Sequence, residues 1–204
     1  MEITVNGWDH VPQYFDQSCK TFSESYLAAS WSSWESQYKR FLRVTECCDI
    51  SNASILDVGC GWGGFQDVLS LSYDHFDYYG IDISEEMIKK AKSLRPYLDF
   101  IHGDFLSYEF GRTFDFVFAN GTFNLKVDNQ KKYIRICLSK LFELCNQGVF
   151  VNMTAPLESD EKLDEGIYYY SPDVVLEHCL SLTPHIKVDS TYRKNEFLIE
   201  LYKS

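Results

Sequence analysis

The most constraining stretch of this chain is Asp57-Val-Gly59-Cys-Gly61-Trp-Gly63-Gly64, which directly follows the apolar run Ser54–Val58 and opens an amphipathic segment, Phe65–Leu71. Glycines at these spacings let a backbone leave a buried strand, turn tightly and pass close to a ligand before a helix begins. A strand that ends in such a turn and helix calls for a crossover connection, and therefore for a parallel α/β sheet. The rest of the chain agrees. Tyr78–Ile83 predicts a second strand, Leu98–His102 a third, Phe114–Ala119 a fourth and Gly148–Asn152 a fifth. Between the second and third, Ser84 is an N-cap with Glu85 and Glu86 behind it, then Lys89, Lys90 and Lys92, and Pro96 as a stop. That charge order suits a helix dipole. Ile134, Cys137, Leu138, Leu141, Phe142 and Cys145 share one helical face, and His178 falls in a further predicted helix. The tail breaks the rhythm: Ile186 and Val188, a turn at Arg193–Asn195 and Phe197–Tyr202 predict an antiparallel hairpin.

Residues 1–52 differ in style. They are rich in aromatics and serine, with no glycine after Gly7 and no proline after Pro12. Tyr38, Phe41, Leu42 and Thr45 recur at helical spacing, so a helix is predicted over 35–48. The division expected is an N-terminal helical cap, 1–52, on one compact α/β unit, 53–204.

Composition narrows the function. The formal net charge of −11 argues against an electrostatic grip on nucleic acid, which needs clustered Lys and Arg to displace counterions. Seven cysteines with no C-x-x-C pair suggest neither a disulfide framework nor a zinc site, and no metal is expected. No apolar run reaches the ~18–20 residues of a membrane span, and the first residues lack a secretory signal pattern. A soluble, cytoplasmic protein is the expectation.

The glycine turn also satisfies G-x-G-x-x-G through Gly59, Gly61 and Gly64, with Asp82 about 20 residues on, so dinucleotide binding must be weighed. Asp57 decides against it. A carboxylate two residues before the first glycine would repel a pyrophosphate and attract an ammonium group. The combination resembles motif I of the class I S-adenosylmethionine-dependent methyltransferases, and further segments follow in that family's order. Gly80-Ile-Asp82-Ile-Ser84 is similar to its second motif, Gly103-Asp104-Phe105 to its third, Phe114-Asp115-Phe116-Val117 to its fourth strand and Gly148-Val-Phe-Val to its fifth. The resemblance implies a Rossmann-like fold with a seven-stranded, mostly parallel sheet. It also implies S-adenosylmethionine as cofactor and S-adenosylhomocysteine as product. The implied cofactor residues are Asp57, Gly59, Cys60, Gly61 and Trp62 around the turn; Asp82, Ile83 and Met87; Gly103, Asp104 and Phe105; and Asn120 with Gly121.

A narrower resemblance reaches the cap. Trp31-Ser-Ser-Trp-Glu-Ser-Gln37-Tyr-Lys-Arg40-Phe41 and Asn120-Gly121-Thr122-Phe123-Asn124 are similar to a bacterial subgroup of small-molecule methyltransferases with W-x-S-x-x-S-Q-x-x-R-F and S-G-T-F-N segments. Asn120 stands where that subgroup usually has Ser. The acceptor implied is oxygen or nitrogen of a small biosynthetic metabolite, such as a polysaccharide or nucleotide-linked intermediate.

Transfer of a methyl group from a sulfonium needs mainly proximity, orientation and exclusion of water, with a base only when a neutral hydroxyl must lose its proton. Asn124 and Asn120 are candidates for orienting the acceptor, while Trp31, Phe123, Asn152, Tyr168 and Tyr169 are candidates for lining its pocket. The plainer readings are a helix-capping Asn124, and Tyr168-Tyr169-Tyr170 as simple packing. His102 and His178 read better as structural than as bases. Gln37 and Arg40, three apart on a helix, are expected to clamp the cofactor's carboxylate. A protein methyltransferase, a nonenzymatic cofactor-binding partner and an NAD-dependent enzyme are the alternatives, the last disfavoured by Asp57.

Overall fold

The computed structural model describes residues 7–156 and 164–204. Three helices come first, α1 (His10–Thr21), α2 (Ser25–Ala28) and α3 (Trp34–Thr45); then follow β1 (Ser54–Val58), α4 (Gly64–Leu69), β2 (Asp77–Asp82), α5 (Glu85–Leu94), β3 (Asp99–His102) and β4 (Phe114–Asn120). The chain continues through α6 (Gln130–Leu144), β5 (Cys145–Thr154), α7 (Pro172–Leu182), β6 (Ile186–Asp189) and β7 (Glu196–Tyr202). The seven strands form one sheet in the order β3-β2-β1-β4-β5-β7-β6. The first five run parallel, while β7 is antiparallel to β5 and β6 antiparallel to β7. This is the Rossmann-like class I methyltransferase fold with its C-terminal antiparallel hairpin.

Both faces of the sheet are covered, and the two-residue period of the strands divides the core. Leu56 and Val58 of β1, Val117 and Ala119 of β4, and Val149 and Val151 of β5 pack beneath α6 and α7. Ile55, Phe116, Phe118, Phe150 and Leu198 face the other way, under α3, α4 and α5. The strand order reverses between β1 and β4, so a crevice opens at their carboxyl ends, where ligands of open α/β sheets collect.

The helix predicted over 35–48 ends at Thr45, whose hydroxyl donates to the Leu42 carbonyl and closes the last turn. Cys145 is not on the helical face expected for it. The chain turns to extended geometry there (φ −95°, ψ 151°), and Cys145 begins β5, three residues before the predicted start. Helix α1 lies within the helical cap expected over 1–52, whose residues 1–6 lie outside the described residues.

Candidate functional site

Strand β1 delivers Asp57 and the glycine turn to the crevice. Gly59 holds φ +72°, and a Cβ there would fall 2.5 Å from the Thr122 methyl, so the loop after β4 closes directly on the turn. Thr122 secures that approach by donating to the Val58 carbonyl at 2.7 Å. From β2, Asp82 accepts from the Gly61 amide at 2.8 Å and the Ser84 amide at 2.9 Å. These bonds orient the carboxylate and leave it lone pairs for a ligand. Burial pushes its pKa up, the two amides oppose that, and its position is that of an acid awaiting hydroxyl donors.

Asp57 is more unusual. It is 2% exposed, and among the described residues its side chain has one hydrogen-bonding partner, the Tyr78 hydroxyl, which donates at 2.6 Å. Desolvation lifts its pKa to about 7, against the lowering effect of that hydrogen bond. A buried carboxylate with no cation beside it is costly unless a ligand supplies the charge.

Two adjoining cavities meet at the turn. The larger, about 100 Å³, is bounded by Asp82, Ile83, Met87, Gly103, Asp104 and Phe105 on one side and by Asn120, Gly121 and Phe123 on the other. The smaller, about 40 Å³, contains Asp57, Cys60, Trp62 and Gly64 with Gln37 above them. Trp31, Gly59, Gly61 and Asn120 border both. The cap forms the roof: Trp8, Val11, Phe15 and Ala29 line the larger cavity. Trp31 lies so close to Gly121 (φ +70°) that a Cβ there would sit 2.6 Å from its ring. An aromatic chain, Phe105–Phe123–Tyr133–Trp8, runs along one wall with ring centres 4.7–6.0 Å apart.

Of the acceptor candidates, Asn120, Trp31 and Phe123 reach the cavities, whereas Asn124, Asn152, Tyr168 and Tyr169 do not. Asn124 is a correction: its amide oxygen accepts from the Thr154 amide (3.2 Å) and hydroxyl (3.3 Å), pinning the end of β5. Asn152 stands behind Asn120, to which it donates at 3.3 Å. Tyr168 borders an outer cleft beside Lys126 and Asn129, and the Tyr169 hydroxyl accepts from the Asp164 amide.

Arg40 is the second correction. Its guanidinium donates to Glu196 through Nε (2.6 Å) and Nη2, and to the Ser36 carbonyl, and it lies 4.4 Å from the Trp31 ring centre. The arginine is 8% exposed and belongs to neither cavity wall; only Gln37 of the expected clamp does. The roof residues Trp8, Val11 and Phe15 escaped the sequence reading, although their spacing of three and four was a helical signal.

Among the described residues, no group of three His, Cys, Asp or Glu side chains could hold a metal ion, and no helix is long and apolar enough to cross a membrane. The donor set instead fits a nucleoside carrying an amino acid. Asp82 suits ribose hydroxyls, the buried Asp57 suits an ammonium, and the turn leaves room for the chain between them.

Residues 55–144 match the family described as "Methyltransferase domain". The chain carries a class I methyltransferase domain. The cofactor of that class is S-adenosylmethionine. The domain is 29% identical over 131 residues to "Putative methyltransferase Rv1506c" of Mycobacterium tuberculosis, covering 62% of this chain and 78% of that protein. It is 32% identical over 124 residues to a carboxy-S-adenosyl-L-methionine synthase of Nautilia profundicola, covering 56% of this chain and about half (51%) of the relative. Among solved structures, magnesium protoporphyrin IX methyltransferase from Synechocystis PCC 6803 with bound S-adenosylhomocysteine superposes with a TM-score of 0.69 at 13% identity. That match covers 95% of this chain and 98% of the other. Likeness at that identity speaks for the fold of the methyltransferase domain, and function follows from the site.

Proposed function

We propose that this chain transfers the methyl group of S-adenosylmethionine to an oxygen or nitrogen of a small metabolite. The observation that carries the reading is the buried Asp57 at the end of the glycine turn, with Asp82 across from it in the same crevice. The sulfonium supplies an activated methyl group; the protein supplies position and dryness. Asp82 holds the ribose, Asp104 and Phe105 border the base, and Asp57 receives the ammonium. Trp8, Phe15 and Trp31 roof the crevice and exclude water, which favours attack by the acceptor over hydrolysis. Among the described residues no His or Lys borders either cavity, which favours an acceptor that needs little help in losing a proton.

A small acceptor is supported by the roof, because Trp8, Phe15 and Trp31 cover the crevice that holds Asp82 and Asn120. The net charge of −11 is likewise unsuited to nucleic acid. The solved neighbour named for a porphyrin substrate sets a precedent for a small acceptor on this fold.

The test is incubation of the protein with methyl-labelled S-adenosylmethionine and a small-molecule extract, followed by mass analysis. Label in a metabolite supports the reading. Label only in protein or nucleic acid overturns the acceptor class, and no binding of cofactor or product in calorimetry overturns the whole assignment.

A further inference from the structure

With Arg40 engaged by Glu196, no Lys or Arg among the described residues borders the cavity that holds Asp57. A nucleoside seated on Asp82 and Asp104 must send its amino-acid arm past Gly59 and Gly61 into that cavity, where Asp57 answers the ammonium and nothing charged answers the carboxylate. Among the described residues, one wall residue carries a buried side-chain donor that lacks a hydrogen-bond partner. The side-chain Nδ2 of Asn120, a residue 8% exposed, is buried without any hydrogen-bond partner. Its other amide atom, Oδ1, accepts from Asn152 Nδ2 at 3.3 Å. Asn120 and Asn152 are register partners at the carboxyl ends of β4 and β5, so two rigid strands hold this contact. The bond from Asn152 fixes which way the Asn120 amide faces, and the group it leaves without a partner is the donor Nδ2. A buried donor left unpaired is costly, and one beside a ligand cavity is most simply explained by a ligand acceptor.

We propose that Asn120 Nδ2 donates to the methionine carboxylate of the cofactor, and that Asn152 is a positioning residue that keeps the Asn120 amide turned that way. The proposal rests on the cofactor reading above. It replaces the expected arginine clamp with neutral donors, Asn120 from the sheet and Gln37 from the cap, on either side of the carboxylate. A neutral receptor also suits a cavity that already holds Asp57: a cation there would pair with Asp57 and compete with the incoming ammonium.

Two ligands separate the carboxylate from everything else: S-adenosylhomocysteine, and its decarboxylated form, which keeps the ammonium and the nucleoside. Dissociation constants for both are measured by calorimetry on the wild type, Asn120→Ala, Asn120→Asp and Asn152→Asp. Asn120→Ala removes the donor, and S-adenosylhomocysteine should bind about tenfold or more weakly while the decarboxylated ligand changes less than about twofold. Asn120→Asp sets a carboxylate against a carboxylate and should lose more, again selectively. Asn152→Asp accepts from Asn120 and turns its oxygen to the cavity, so it should reproduce the selective loss without touching the ligand. Retained binding of the decarboxylated form shows that each variant is folded.

Equal losses for both ligands, or none for either, overturn the proposal, as does a selective loss confined to the methyl acceptor's KM. Asn120 effects without any from Asn152→Asp overturn the positioning role. A wild type that binds neither ligand overturns this inference together with the cofactor reading beneath it, a result no variant pattern can mimic.

Discussion

The carboxylate of Asp16, midway along the cap helix α1, accepts a 2.6 Å hydrogen bond from the hydroxyl of Ser84, the N-cap residue of α5. The same Asp16 oxygen accepts from the Glu86 amide at 3.2 Å, while the Ser84 hydroxyl accepts from the Met87 amide, also at 3.2 Å. The cap is thus tied to the helix that begins where Asp82 ends. Further along α1, Trp62 Nε1 donates to Cys19 Sγ (3.2 Å), and His10 Nε2 donates to the Lys126 carbonyl (3.0 Å). A roof held by a few polar contacts, with its aromatic residues facing a cavity, is poised to open when those contacts are lost.

Replacing Asp16 by Ala should loosen the roof and leave the sheet intact. Loss of the Ser84 bond costs about 0.5–1.5 kcal/mol, and the N-cap bond of Ser84 to Met87 survives. Hydrogen exchange should quicken in residues 10–21 and stay unchanged in β1, β4 and β5, with cofactor product binding a few-fold more weakly. Unchanged exchange in α1 would mean that apolar packing alone holds the cap.

Arg40→Ala should act on stability. It leaves Glu196, 7% exposed, without its main partner, and breaking a buried pair from one side costs about 3–5 kcal/mol. Arg193, 3.0 Å from the same carboxylate, should hold the loss toward the lower end. Urea unfolding measures it. Folded Arg40→Ala should lose affinity for S-adenosylhomocysteine and its decarboxylated form by the same factor; a selective loss would restore the arginine clamp.

Asp57→Asn should raise the stability of the empty protein while removing cofactor binding. With its pKa lifted to about 7, the folded state holds a proton on Asp57 that the unfolded state releases near pH 4. The folded state therefore binds more protons between those values, and this residue's contribution falls as pH rises toward about 7. At pH 8 the Asn variant should melt at least about 2–4 °C higher, the shift that 1 kcal/mol produces in a domain this size. In the wild type, ammonium binding should draw the pKa back down, so calorimetry near pH 7 in buffers of different ionisation enthalpy should detect proton release. Absence of release would place the ammonium elsewhere.

Asp82→Ala should weaken S-adenosylhomocysteine at least about tenfold, because bonds to a charged acceptor contribute about 1.5–3 kcal/mol each. The decarboxylated ligand should suffer equally, since it carries the same ribose. An unchanged dissociation constant in folded protein would mean that another acid holds the sugar.

The features legible along the chain are local ones. The strand–turn–helix around Asp57 and its glycines is legible in the sequence because a buried strand, positive-φ residues and a helix start leave their marks within eight positions. The parallel strands and the closing hairpin follow from periodicity, which needs only neighbours along the chain. Arg40 shows where such reading stops. Its partner Glu196 is 156 residues away, and nothing within reach of α3 announces that a strand at the far end of the chain will present a buried carboxylate to it. Asn124 was likewise claimed by Thr154, 30 residues on. Only the assembled sheet brings Asn152 beside Asn120 and lays α1 over both cavities. Strand register and packing are long-range, and they decide which polar groups are already satisfied and which are left facing a ligand.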